Sequence, residues 1–213
     1  MSAADRVVVL AGATSDAGIA AARALVNAGA RVVATGRSSQ GLRRLADAGA
    51  ETEVADATSL ASMTELAARL GAVDAVVPLV GGWRGGGGLA GQSDEDLDAL
   101  LPGFQAVRAT SRAFSAALQA SDAGRFAIVS STSVARPLAG GANYAAVKAA
   151  SEAWTRAVAQ GFSKAARDAG EPLRAASVVF RVKALDPQSL ATAVARLWDE
   201  DAAALNDRII DLA

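Results

Sequence analysis

Ser131, Tyr144 and Lys148 are the residues of this sequence whose types and spacing suit proton chemistry. Tyr144 is the sole tyrosine, and Lys148 is one of three lysines among twenty-one cations. Four residues apart, they share one face of a helix. An ammonium beside a phenol favours the phenolate and lowers the tyrosine pKa from its reference near ~10. Tyr144 would then give a proton to, or take one from, a substrate oxygen. Ser131, at the carboxyl end of the preceding strand, would hold that oxygen through its hydroxyl. Singly, the three also suit a core tyrosine, a solvated lysine and a turn serine; their joint placement favours chemistry.

Composition removes most alternatives. The 213-residue chain contains no cysteine and no histidine, which excludes thiol chemistry, Ser-His and Cys-His catalysis and zinc sites, and no metal site is expected. A net charge of −1, with acids and arginines interspersed, provides no basic stripe for nucleic acid. No apolar run is long enough for a signal peptide or a membrane span, so a soluble, cytoplasmic protein is expected. The length suits one domain over residues 1–213 with one well-formed core.

The elements that must position the three residues follow an alternating order. Val7–Ala11 is apolar at every position, as a strand covered on both faces should be. The glycine loop Gly12–Gly18 and a helix ending near Gly29 follow, then a strand over Arg31–Thr35. Further elements are a helix around Gln40–Ala48, a strand at Glu51–Val54, a helix from Ser59 to Leu70 with Ser59 as cap, and a strand over Ala75–Val80. Beyond the glycine-dense stretch Gly81–Gly91, Ser93 caps a helix that Pro102-Gly103 is expected to interrupt, with resumption from Phe104 to Ala120. Strands at Arg125–Ser130, Arg174–Phe180 and Arg208–Leu212 frame the Tyr144 helix and a helix over Pro187–Asp199. The pattern predicts an α/β, doubly wound, mostly parallel Rossmann-type sheet of about seven strands in the order 3-2-1-4-5-6-7, with ligands at the carboxyl ends of the strands.

A glycine loop between a first strand and a helix lets backbone N–H groups meet a pyrophosphate, although an ordinary tight turn has the same look. Asp16 in that loop suits the helix dipole but would repel a phosphate brought close. At the end of the second strand, Gly36 leaves space and Arg37 presents a guanidinium suited to a 2′-phosphate, favouring NADP over NAD; a solvated arginine is the plainer alternative.

Gly12-x3-Asp16-x-Gly18, Asp56 after the third strand and Ser131-x12-Tyr144-x3-Lys148 resemble the short-chain dehydrogenase/reductase family of NAD(P)-dependent oxidoreductases, from Arg6 to about Gly161. The resemblance implies that Ser131 polarises a carbonyl, Tyr144 acts as acid or base, and Lys148 binds the nicotinamide ribose and tunes Tyr144. It further implies a cofactor set of Gly12, Thr14, Ser15, Asp16, Ala17 and Gly18 in the loop, Arg37 and Ser38 at the 2′-phosphate, Asp56 and Ala57 at the adenine, and Val80 and Gly81 after the fourth strand, besides Tyr144 and Lys148. The expected activity is hydride transfer between NADP(H) and a carbonyl or alcohol in a small-molecule substrate; reduction of an activated C=C bond is not separated from it by these residues.

The chain departs from the family pattern at four places. Asp16 replaces the middle glycine of the loop, and Pro78-Leu79-Val80-Gly81 stands for Asn-Asn-Ala-Gly. Gly103 falls where a catalytic asparagine holds a relay water, a task left to a backbone carbonyl freed at Pro102. Phe180-Arg181-Val182-Lys183 replaces a Pro-Gly turn, and the usual substrate-covering insertion is missing. Gly81–Gly91 is left as the one lid candidate, with Trp83 to cover an apolar group and Arg84 to meet an anion, or else as a flexible surface loop. A catalytically degenerate dinucleotide-binding or interaction module is the competing reading. The small residues Ala149, Ala150, Ala153 and Ala157 around Trp154 offer a flat apolar face for homo-oligomerisation, or else for packing on the sheet, and the family resemblance implies a homodimer or homotetramer.

Overall fold

The computed structural model describes residues 2–212. Its elements are β1 (Val7–Ala11), α1 (Asp16–Asn27), β2 (Arg31–Gly36), α2 (Ser39–Asp47), β3 (Glu51–Val54), α3 (Leu60–Leu70), β4 (Ala75–Pro78), α4 (Asp94–Ala120), β5 (Arg125–Ser131), α5 (Ala142–Ala169), β6 (Ala176–Val182), α6 (Pro187–Ala195), α7 (Ala202–Leu205) and β7 (Arg208–Asp211). The strands form one seven-stranded sheet in the order β3-β2-β1-β4-β5-β6-β7, with every pairing parallel.

The uniform apolarity of β1 has a direct structural reason. Val8 and Leu10 point into a core shared with α1, α2 and α6, whereas Val9 and Ala11 point into a second core with α3, α4 and α5. Alternate side chains of a strand face opposite ways, so a central strand covered by helices on both sides needs apolar residues throughout. Serine caps fix the helix starts: the hydroxyls of Ser15, Ser38, Ser59 and Ser93 each accept from the backbone N–H three residues on.

Four sequence expectations are corrected here. The fourth strand stops at Pro78, because Leu79 and Val80 leave the sheet to line the cleft described below. The sixth runs over Ala176–Val182 rather than Arg174–Phe180, in register with β5 as far as Ser131↔Val182. The sixth helix ends at Ala195 rather than Asp199, and a short further helix, α7, precedes the last strand.

Pro102 does not interrupt α4, which is continuous from Asp94 to Ala120. A proline inside a helix costs about 3 kcal/mol. The helix buries Leu100, Val107, Phe114 and Leu118, and each large apolar side chain taken from water contributes about 1.5–3 kcal/mol. Packing against α3 and α5 therefore outweighs one missing donor. The carbonyl that loses its partner is that of Asp98, a turn before Gly103.

Candidate functional site

The carboxyl ends of β1, β2, β4, β5 and β6 open onto a continuous trough with two lobes. The smaller, about 400 Å3, is walled by the glycine loop, Arg37, Asp56, Ala57 and the α4 residues Ala99, Pro102 and Gly103. The larger, about 1000 Å3, holds Ser131, Tyr144 and Lys148. Ser15, Leu79, Val80 and Gly81 line both lobes and join them.

Gly12 makes the junction possible. Its φ of +72° lies in the left-handed region, and a β-carbon there would come 2.4 Å from Cγ2 of Val80. Its N–H donates to Thr35 Oγ1 at 3.0 Å, so the loop is anchored to β2. The trough then reaches the amino end of the twelve-residue α1, where unpaired N–H groups favour an anion. Gly12, Thr14 and Ser15 line the small lobe, and Ala17 lines the large one. Gly18 lies behind them, where a β-carbon would approach Ala13 O to 2.1 Å, so the position brings helix and loop together.

Two residues of the expected cofactor set are directed elsewhere. Ser38 caps α2, accepting from Gly41 N, and does not line the small lobe. Asp16 turns outward, and its carboxylate accepts from Arg44 at 2.8 Å across the gap between α1 and α2. The Asp16 carboxylate is thereby turned away from the small lobe. Arg37, in contrast, lines the small lobe and, among the described residues, makes no ion pair. Asp56 lines the same lobe, with Oδ1 accepting from Thr58 N at 2.9 Å and Thr58 Oγ1 at 2.8 Å.

Ser131 is the last residue of β5 and caps the short 3-10 turn Thr132–Val134. Its Oγ accepts from the Ser133 N–H at 3.2 Å and the Ser133 hydroxyl at 2.9 Å. A hydroxyl has two acceptor lone pairs and one proton. With both lone pairs used, the Ser131 proton is left to act toward the neighbouring Tyr144 hydroxyl, whose acidity Ser131 raises.

The expectation that Lys148 lowers the Tyr144 pKa is not met. Burial raises the phenol above its ordinary value, and the Ser131 hydroxyl opposes that shift without cancelling it. The Lys148 ammonium lies 5.8 Å from the Tyr144 ring centroid and donates to Val129 O at 2.8 Å. Lys148 is itself affected: burial pushes its pKa down to about 8, against the attraction of Glu152. The phenol is therefore protonated near neutral pH, and the ammonium titrates close to the physiological range.

Gly81–Gly91, the lid candidate or flexible surface loop, is tied back to the body of the fold through Gln92. The Gln92 side-chain amide donates to Gly86 O and Gly140 O, each at 3.1 Å, and to Gly88 O at 3.3 Å, while its Oε1 accepts from Asn143 N at 3.1 Å. Gly86 N also donates to Gly140 O at 2.7 Å. These bonds clasp the loop to the start of α5, one residue before Tyr144. Trp83 lines the cleft with Leu138 and Leu185, whereas Arg84 does not and instead donates to the Trp83 carbonyl. The charged residues lining the cleft are Arg136, Lys148 and Lys183, with no acid among them.

Gln92 and the Glu152–Arg181 pair were missed in the sequence. Nothing marks Gln92, whose partners are backbone carbonyls far along the chain. Glu152 had one usable signal, since it extends the Tyr144, Lys148 spacing by another four residues. Arg181, read as part of a lost turn, instead remains in β6 and donates to Glu152 through Nε at 2.9 Å and Nη2 at 2.6 Å.

Among the described residues no helix is long and apolar enough to cross a membrane, and no cluster of three or more acidic side chains could hold a metal ion. Residues 6–166 match the family model for short chain dehydrogenases. A metagenomic short-chain oxidoreductase in complex with NADP is similar, with 26% identity over 98% of both chains and a TM-score of 0.80. A Shigella flexneri 2a str. 301 protein described as a short chain dehydrogenase, complexed with NADP, has 20% identity, covers 98% of this chain and 97% of its own, and has a TM-score of 0.83. A short-chain type dehydrogenase/reductase from Mycobacterium ulcerans has 17% identity over 99% of this chain and 89% of its own, also with a TM-score of 0.83. No curated protein matches the sequence. With its family match spanning most of the chain, its parallel sheet in the family order and its glycine-cradled trough, the protein belongs to the short-chain dehydrogenase/reductase family and is a dinucleotide-dependent oxidoreductase.

Proposed function

We propose that the chain is an NADP(H)-dependent oxidoreductase acting on a carbonyl or alcohol, with Tyr144 as its acid or base. The observation that carries this reading is that Ser131, Tyr144 and Lys148 line one lobe, continuous with a second lobe bearing Arg37.

The residues present fit the cofactor. Gly12 opens the cradle that a β-carbon would fill, the amino end of α1 suits the pyrophosphate, and Arg37 is available for a 2′-phosphate. Asp56 would take the adenine amine, and Lys148 the nicotinamide ribose. When bound, the nicotinamide supplies or accepts the hydride. Ser131 donates its proton to the substrate oxygen, and Tyr144 delivers the proton that turns that oxygen into a hydroxyl. Because burial keeps the phenol protonated, the site is set for reduction at neutral pH. Trp83, Leu138 and Leu185 give the substrate lobe apolar walls, while Arg136 and Lys183 favour a neutral or anionic substrate over a cation. Association through the exposed Ala149, Ala153 and Ala157 beside Trp154 is part of the same proposal.

Turnover of NADPH with a panel of aldehydes and ketones tests the reading, with Tyr144→Phe as control. The variant should lose about 10²–10⁴-fold in kcat/KM while still binding NADPH; undiminished activity would sink the mechanism. Gly103, which offers no side chain for a relay water, favours the second reading of a binding module without chemistry. That reading predicts an NADPH-dependent rise in Tm with no turnover on any substrate.

A further inference from the structure

Tyr144, Lys148 and Glu152 recur at every fourth position of α5 and so share one helix face. The proposed chemistry uses only the first two. Glu152 is 5% exposed, and its carboxylate is closely held. Oε1 accepts from the Ser130 hydroxyl at 2.6 Å and from Arg181 Nε at 2.9 Å, while Oε2 accepts from Arg181 Nη2 at 2.6 Å. Ser130 and Arg181 are register partners on β5 and β6, so the carboxylate is clamped where two strands meet. One residue before Ser130, the Val129 carbonyl accepts from Lys148. Helix α5 is thus tied to consecutive residues of β5 by an ammonium and a carboxylate one turn apart.

The groups around the Lys148 ammonium can be named element by element. From its own helix come the Tyr144 phenol and Glu152. From β6 comes Arg181, behind Glu152. From β5 come the neutral Val129 carbonyl and Ser131, and from the segment after β4 comes Gly81, where a β-carbon would lie 3.9 Å from the ammonium nitrogen. Glu152 is the one anion in this set. Burying an ion pair is seldom a gain over apolar packing, so its presence one turn from the reacting groups asks for a use.

We propose that Glu152, clamped by Arg181 and Ser130, is a positioning residue that sets the charge and the place of the Lys148 ammonium. The proposal rests on Lys148 serving the Tyr144 site, but its test requires no turnover. Glu152→Gln removes the one anion of this set and leaves Arg181 with only the attraction of Asp211 on β7, so Lys148 should release its proton at lower pH. Arg181→Met leaves the carboxylate uncompensated, so Lys148 should release its proton at higher pH. Ser130→Ala removes one hydrogen bond without changing any charge and should leave the titration in place. A clamp with a purely structural role would not move the titration in opposite directions.

The three lysines, Lys148, Lys164 and Lys183, make the measurement direct. The full chain carrying 13Cε-labelled lysine gives three signals to follow with pH by NMR, with Lys148→Arg assigning its own. The expected result is a Lys148 midpoint about one pH unit lower in Glu152→Gln, about one pH unit higher in Arg181→Met and unchanged in Ser130→Ala. Unmoved midpoints, shifts of one sign in both charge variants, or a shift in Ser130→Ala as large as theirs would overturn the proposal. Should Glu152→Gln fail to fold, Arg181→Met and Ser130→Ala carry the same test. Opposite shifts in a protein that reduces no carbonyl would leave this inference standing and remove the proposed function; active enzyme with unmoved midpoints would do the reverse.

Discussion

The Lys148 ammonium should carry a burial penalty in the folded chain, and Lys148→Met measures it through the pH dependence of stability. Methionine keeps an unbranched chain of similar length in the slot between α5 and β5 but carries no charge. In the folded chain, burial holds the Lys148 pKa down at about 8, against ~10.4 in an unfolded chain. Between those values the unfolded state binds the proton that the native state has released, so stability rises with pH across the window. The penalty is present in full below about pH 8 and is relieved as the pH approaches ~10.4. Over the whole window the difference is roughly 3 kcal/mol, and by about pH 9.5 roughly 2 kcal/mol has been recovered, less whatever the water reaching this partly buried ammonium from the cleft screens. The raised Tyr144 pKa acts only at higher pH and is common to both proteins. Urea unfolding at about pH 7 and about pH 9.5 should therefore show the wild type gaining about 2 kcal/mol on the variant. Near pH 7 the relief of burial, roughly 3 kcal/mol, is set against about 1–3 kcal/mol for the Val129 carbonyl left without its donor. The variant should be about as stable as the wild type there. Parallel pH profiles, or a wild type that loses ground at high pH, would refute the claim that the ammonium is held against its desolvation.

Arg37→Ala should weaken NADPH binding by about 10–100-fold, the worth of a charge-assisted pair, and leave NADH nearly unaffected; equal losses by isothermal titration would show that Arg37 does not read the 2′-phosphate. Gln92→Ala removes the clasp between the glycine loop and the start of α5. Hydrogen exchange at Gly86 should speed up, and the substrate KM should rise by roughly tenfold with the NADPH Kd unchanged, from net bond energies of about 1 kcal/mol each. Unchanged exchange at Gly86 would mean that the loop is held by something other than Gln92.

The parts of the fold legible in the sequence are those where one residue's neighbours in the chain decide its role. Val7–Ala11 reads as a doubly covered strand because each of its side chains needs an apolar partner, and the structure buries all but Val7 completely. The serine caps are local bonds spanning three residues and were readable for the same reason. Ser131, Tyr144 and Lys148 were brought to one lobe as their spacing implied. What escaped was set by contacts across the chain. Pro102 is a strong local signal for a helix break, yet the apolar face of α4 overrides it. The Tyr144 pKa follows from how deeply the ring is buried, a property that the Tyr-Lys spacing does not encode. Gln92 acts on carbonyls as distant as Gly140, and polar residues of this kind carry no periodicity to mark them.

The departures from the family pattern become intelligible when each is considered with its spatial partner. Asp16 in the glycine loop is drawn off by Arg44, so a carboxylate at that position is compatible with the proposed cofactor site. Arg181, in place of the turn glycine, keeps β6 straight for one more pair of residues and meets Glu152. Gly103 is the hardest case, because its missing side chain takes away the relay asparagine. A β-carbon at Gly103 would lie 3.3 Å from the Val80 carbonyl, tighter than side chains ordinarily pack, and Val80 cannot readily give way because its Cγ2 already covers Gly12. The backbone of Val80 and Gly81 after β4 therefore approaches α4 closely at Gly103. An asparagine restored at Gly103 alone would press on Val80 and, through it, on the glycine that opens the cofactor cradle. The small residue in α4 thus follows from the main chain facing it, and a side chain restored at Gly103 would have to displace the segment after β4 by a few tenths of an ångström.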